Sequence, residues 1–146
     1  MSKGRRTEKL AKFSALAGAD KLLLLHATVW LALARLMLLL MPFNKLATRL
    51  SGERGSSIYQ VDPELLERIG YAVRAAAGNV PWRSDCFPQC IAGRMLLKHY
   101  GHKSTIHLGV EKKDKDSIAG HAWLTCDGNV VVGGEDLDRY TEMLPL

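Results

Sequence analysis

Two residues stand where nucleophilic chemistry needs them. Cys86 follows Pro81-Trp82-Arg83-Ser84-Asp85, a run that predicts a helix start with Ser84 or Asp85 as cap and puts the thiol in the first turn beside Phe87 and Pro88. Free N–H groups and the positive end of a helix dipole favour a thiolate, and cysteines so placed have pKa values drawn from about 8.5 into the range of about 3.5–7.5. The same N–H groups would receive the oxyanion of a tetrahedral acyl intermediate. A thiol nucleophile also needs an imidazole. Among His26, His99, His102, His107 and His121, only His121 falls within a predicted strand next to a hairpin, in the run Gly120-His121-Ala122-Trp123. Gly120 is expected to let another group approach the strand closely. Cys90, one turn further into the helix, lacks the terminal N–H groups and reads as a small packed hydrophobe.

The metal and cofactor readings are weaker. Strand alternation puts His121, Trp123 and Thr125 on one face and Ala122, Leu124 and Cys126 on the other, so His121 and Cys126 do not converge. Cys86 and Cys90 lie within one helix at a spacing that does not suit zinc, and no metal site is expected. Neither Gly133-Gly134 nor Leu108-Gly109-Val110 forms a phosphate-cradling loop, and no cofactor is expected.

The elements that must hold Cys86 and His121 follow from the rest of the chain. Its 146 residues, 47% hydrophobic and 24% charged, are enough for a packed core without covalent staples. Three cysteines and no secretory signal at the N-terminus point to reduced thiols and a cytoplasmic protein. The net charge of +5 is uneven: residues 1–54 carry ten Lys/Arg against three Asp/Glu, and residues 55–146 carry ten against twelve. The basic excess flanks a very apolar segment instead of interleaving with aromatics, which argues against nucleic-acid binding.

That segment, residues 22–43, predicts one apolar helix of about 33 Å stopped by Pro42. Lys21, Thr28 and Arg35 recur every seven residues and draw a thin polar stripe along it. A helix apolar over most of its circumference is buried by the fold or a partner protein, lies on a membrane surface, or spans the bilayer; all three stay open. Residues 50–57, with two glycines and three serines, read as a linker. They divide a basic N-terminal segment (1–54) from a second unit (55–146). In the second unit, Asp62-Pro63-Glu64 opens a helix with Leu65, Leu66, Ile69 and Val73 on one face, closed by Gly78. The Cys86 helix then runs to Tyr100 and Gly101. Ile106, Leu108 and Val110 predict a strand, residues 111–117 a charged loop, and residues 118–125 a second strand. Asp127-Gly128 predicts a hairpin turn into a third strand over 129–132. The fold class is α+β, with the nucleophile helix packed on a small antiparallel sheet and an apolar helix in front.

The ordered set Pro81-Trp82-Arg83-Ser84-Asp85-Cys86-Phe87-Pro88-Gln89, Met95-Leu96-Leu97, Gly101, Leu108-Gly109-Val110, Gly120-His121-Ala122-Trp123 and Asp127-Gly128 resembles the lasso-peptide leader peptidase family. The core of that family is similar to transglutaminases and papain-like proteases. The stretch from Trp30 to Pro42-Phe43 resembles the N-terminal part of the same proteins. The resemblance implies a cysteine protease that removes the leader from a ribosomally made lasso precursor, with Cys86 as nucleophile and His121 as base and acid. The family's aspartate comes on the strand after the histidine, where this sequence sets Gly133 or Gly134 opposite His121. Asp136 is taken as the orienting acid, with Glu135 and Asp127 as alternatives, Asp127 being better explained as a turn residue. Leader recognition in such systems is often supplied by a small separate protein, so a recognition partner is implied, and association with the ATP-dependent lasso cyclase is a further expectation. Membrane-surface contact through residues 22–43 is kept as an alternative.

Overall fold

A computed structural model of the protein describes residues 8, 11, 12, 14–51, 59–114 and 117–146. The architecture is α+β. Helices α1 (Gly18–Leu40), α2 (Phe43–Ser51), α3 (Pro63–Ala77) and α4 (Cys86–His99) precede strands β1 (Thr105–Asp114), β2 (Ser117–Cys126), β3 (Asn129–Val132) and β4 (Thr141–Pro145). The strands form one antiparallel sheet in the order β3-β2-β1-β4.

Local chemistry accounts for the element ends. The Asp62 carboxylate accepts from the Glu64 N–H at 3.0 Å and Pro63 occupies the first turn of α3, while Leu66, Ile69, Val73 and Ala76 supply its buried face. After α4 the chain turns at Gly101, whose φ of +82° belongs to the left-handed region that glycine enters freely. Between β2 and β3, Cys126 pairs with Asn129 across Asp127 and Gly128, with φ of 48° and 80°, the two-residue hairpin turn expected for Asp-Gly. Asp127 is thus a turn residue.

Two expectations change. Of residues 111–117, read as a charged loop, residues 111–114 instead extend β1 to Asp114 and Ser117 begins β2, with Lys112 opposite Ile118; residues 115 and 116 lie outside the described residues. Charge along a segment does not prevent backbone pairing, because only one face of an antiparallel sheet has to be apolar. The sequence reading also contained no β4. This short strand runs along β1 and is finished by reciprocal backbone bonds between Ile106 and Leu146.

Helix α4 lies across the inner face of the sheet. Gly93 lets it approach closely, since a Cβ there would stand 2.8 Å from a methyl of Leu124 and 3.3 Å from one of Val132. Arg94, only 2% exposed, donates to the Leu50 carbonyl at 2.6 Å and to the Leu146 carbonyl at 3.1 Å, tying α4 to the last turn of α2 and to the end of the β4 segment. These charge-assisted bonds also satisfy carbonyls at a helix C-terminus, where a cation is favoured.

The apolar helix expected over 22–43 is α1, ended before Pro42, with Phe43 already starting α2. Leu23, Ala27, Leu31 and Ala34 form its buried face and join the same core as Ile91, Leu97, Ile106 and Leu124. Thr28 and Arg35 lie at the margin of that face, and Leu22, Leu25, Val29, Leu33, Leu36 and Leu40 lie beyond it, exposed. By length and composition alone α1 is long and apolar enough to cross a membrane. The expected linker falls mostly outside the described residues, at 52–57; Leu50 and Ser51 close α2.

Candidate active site

Cys86 is the first residue of α4. The Asp85 side chain makes no capping bond and pairs instead with Arg83 at 3.3 Å, and Pro88 has no N–H to offer. The Gln89 N–H is the first in the helix to find a carbonyl, that of Asp85, at 3.3 Å. Among the described residues, the Cys86 and Phe87 N–H groups are therefore left unclaimed at the positive end of the helix, beside the half-buried thiol. Cys90 is fully buried, and burial together with neighbouring Cys86 pushes its thiol well above the ordinary value near 9.0. Position within one helix thus separates an accessible sulfur from an inert one.

His121 reaches the same region from β2. Ala122, Leu124 and Cys126 turn inward, as alternation requires, and His121 and Trp123 project from the other face. The outer face carries a row of stacked rings: His107 on Trp123 at 5.3 Å, and Tyr140 on His121 at 4.7 Å. Gly109, opposite His121, makes room for the row, since a Cβ there would lie 2.8 Å from the Trp123 ring and 3.0 Å from Tyr140 Cβ. Tyr140 is held in turn by its neighbour Arg139, which grips Glu111 of β1 through Nε at 3.0 Å and Nη2 at 2.8 Å. His107 itself bridges the strands, contacting Glu142 at 2.6 Å and Thr125 at 2.8 Å.

The imidazole of His121 is fixed by a backbone group. Its Nε2 lies 2.8 Å from the carbonyl oxygen of Gly133, so Nε2 carries the proton and Nδ1 is left as the basic nitrogen in the neutral ring. Gly133 is at φ +77°, and a Cβ there would lie 2.5 Å from the Ala122 carbonyl and 3.1 Å from Trp123 Cα. Only glycine allows the chain leaving β3 to press against β2 and aim its carbonyl at the ring.

The expected carboxylate is elsewhere. Asp136 sits at φ +53° with its side chain 71% exposed and paired with Arg139 at 3.7 Å. Asp127 is at the hairpin tip, and Glu135 lines the cleft. Among the described residues, the group bonded to the His121 ring is the Gly133 carbonyl, while Asp136 pairs with Arg139. Gly120 is also corrected: nothing lies within 4 Å of where its Cβ would be, so it makes room for no neighbour.

Cys86 and His121 line one cleft of about 400 Å³. Its walls are the end of α3 (Arg74, Ala77, Gly78), Ser84 and Gln89 around the helix start, and Val132, Gly133 and Glu135 where the chain leaves β3. Gln89 donates to the Ser84 carbonyl at 2.8 Å, which fixes the approach to Cys86, and the Ser84 hydroxyl is buried with no partner. Sequence reasoning took Ser84 only as a candidate helix cap and did not single out Tyr140, since an isolated tyrosine carries no spacing signal. Gly133-Gly134 did carry one, but it was read as a missing side chain.

A helix-start cysteine, a strand histidine and a helix packed on an antiparallel sheet are the parts of a thiol acyl-transfer fold. A family model described as the transglutaminase-like superfamily matches residues 22–145, most of the chain. The chain belongs to the transglutaminase-like superfamily. That superfamily includes cysteine peptidases and acyltransferases, and in this member the match takes in α1 as well as the Cys86 helix and the sheet. No curated protein and no solved structure matches the sequence.

Proposed function

We propose that this transglutaminase-like protein is a cysteine peptidase that cleaves the leader from a ribosomally made lasso-peptide precursor in the cytoplasm. The observation that carries the reading is the shared cleft, with an accessible thiol at an uncapped helix start and an imidazole whose Nε2 is tied back to a carbonyl. The ordered residues from Pro81 to Gly128 that resemble the leader peptidases supply the substrate class.

In this mechanism His121 Nδ1 takes the Cys86 proton, and the thiolate attacks the carbonyl carbon of the last leader residue. The oxyanion is held by the free N–H groups of the helix start. Collapse breaks the C–N bond; His121 returns the proton to the departing amine of the core peptide, and the leader remains on Cys86 as a thioester. Water, deprotonated by His121, then hydrolyses the thioester, releasing the leader acid and restoring the thiol.

A separate leader-recognition protein presents the precursor, and the ATP-dependent cyclase takes up the freed core amine. The test is leader release from the precursor in the presence of the recognition protein. Cys86→Ala is expected to abolish release and Cys90→Ala, if folded, to retain it. Release by Cys86→Ala would overturn the peptidase reading. Transfer of the leader to an added amine in preference to water would assign the protein to the acyltransferases instead.

A further inference from the structure

The outward face of α1 has no role in the proposed chemistry. A core helix of this length would be mostly buried, yet only 22% of its most apolar stretch is. Leu22, Leu25, Val29, Leu33, Leu36 and Leu40 recur at helical spacing along the side opposite Leu23, Ala27, Leu31 and Ala34, a stripe about 27 Å long. Exposure within it is 58% at Leu25, 48% at Leu36 and 73% at Leu40, and Phe43 continues it at 50%. Contiguous apolar surface of this extent marks an interaction site.

Charge indicates the occupant. From residue 21 to residue 52 there is no acidic residue, while Lys21, Arg35, Lys45 and Arg49 stand along or beyond the stripe. Lys45 and Arg49 are exposed, one turn apart on α2, and the only acid in α1, Asp20, is neutralised by Arg68 at 2.8 Å. At the other margin His26 packs edge-on against His99 of α4, next to half-exposed Tyr100. A leucine face bordered by cations and aromatic rings, with its anions absent or paired, has the composition of a helix lying in a lipid interface. Spanning is incompatible with this fold, because the opposite face of α1 is packed against protein.

We propose that α1 docks the protein in the plane of an anionic membrane, with the Leu22-to-Phe43 stripe entering the acyl boundary and the Lys and Arg side chains meeting lipid phosphates and carboxylates. At its far end Phe43 contacts Phe87 at 5.7 Å, the neighbour of Cys86, so the lipid-facing stripe and the thiol share a corner of the molecule. Docking therefore brings the cleft to the membrane surface. It does not depend on the peptidase reading, and Cys86→Ala is expected to bind as the wild type does.

The test is flotation of the full chain with phosphatidylcholine vesicles, with and without about 30% phosphatidylglycerol. Binding is expected only with the anionic lipid, is weakened by 0.5 M salt, and is released by alkaline carbonate. Leu25→Gln/Leu36→Gln should lower partitioning by about tenfold or more, and Lys45→Glu/Arg49→Glu by a similar factor, each with an unchanged circular dichroism spectrum. Should a stripe variant fail to fold, Leu40→Trp in the wild-type background takes its place: its added fluorescence is expected to be quenched by brominated acyl chains. Four results overturn the proposal: no flotation at any composition; retention after carbonate; flotation unaffected by the stripe variants; or self-association through the stripe with no vesicle binding.

Discussion

Replacing Gly133 by alanine probes the least conventional part of the site, a histidine oriented by a main-chain carbonyl. The backbone there is at φ +77°, and holding an L-residue in that region costs about 1–2 kcal/mol. The new methyl would also stand 2.5 Å from the Ala122 carbonyl and 3.1 Å from Trp123 Cα, both backbone atoms of the strand that carries His121. Neither can swing aside as a flexible side chain would, so the 133 segment must retreat, and the 2.8 Å bond from His121 Nε2 lengthens beyond use. Adding a lost hydrogen bond of about 0.5–1.5 kcal/mol gives a total destabilisation of about 1.5–3.5 kcal/mol. The catalytic effect is larger, because a wrong or freely turning imidazole tautomer costs up to about 10⁴ in rate in hydrolytic triads, and a carbonyl partner is expected to supply about 10²–10³ of that. Leader-cleavage kinetics should show kcat falling with KM little changed. Gly101→Ala is the control: its φ is +82°, but nothing lies within 4 Å of the added methyl, so it carries the backbone strain alone and should leave cleavage unaffected. If Gly133→Ala cleaves within about twofold of wild type and melts no lower than Gly101→Ala, the carbonyl does not orient His121.

Asp136→Asn should change cleavage by no more than about threefold, since its carboxylate is exposed and pairs with Arg139; a loss of 10² or more in kcat would return the orienting role to that acid. Arg94→Met should destabilise the protein by about 2 kcal/mol in urea, because the Leu50 carbonyl loses its buried charged donor and the Leu146 carbonyl is left with the Ile106 N–H alone, and a loss below about 0.5 kcal/mol would contradict that reasoning. The raised Cys90 thiol predicts a pH slope. Its folded value lies above the unfolded one, so its stabilisation is complete below the ordinary thiol range and is lost as pH rises through it toward the folded value. Denaturation at pH 8 and pH 10 should therefore show a steeper alkaline loss in wild type than in Cys90→Ala; equal slopes would refute it.

What could be read in the sequence was the chemistry that side chains announce locally. Asp62-Pro63 as a helix start, Asp127-Gly128 as a hairpin and Cys86 at a helix N-terminus each depend on a few adjacent residues, and each is found in the structure. The strand residues 111–114 and 117 were hidden by their charge although they pair locally, and the strand over 141–145 because its partner in β1 is distant in sequence and a proline near the end gives no pairing signal. The orienting group of His121 was hidden for another reason. Side-chain reasoning searches for a carboxylate, whereas the structure uses a peptide carbonyl, and glycine serves there by what it lacks. The two faces of α1 could not be told apart while Leu23 and Leu22 looked alike; the packing of α3 and α4 divides them.

The claim on which the mechanism stands is that the Cys86 sulfur, activated by His121, becomes bonded to the substrate. Acid quenching of the protein with precursor and recognition partner, followed by intact-protein mass spectrometry, tests it directly. A hydroxylamine-sensitive adduct with the mass of the acylating leader is expected, mapped to Cys86, absent from Cys86→Ala and strongly reduced in His121→Ala. An adduct on Cys90 or Cys126, or leader cleavage that persists in Cys86→Ala, would contradict it.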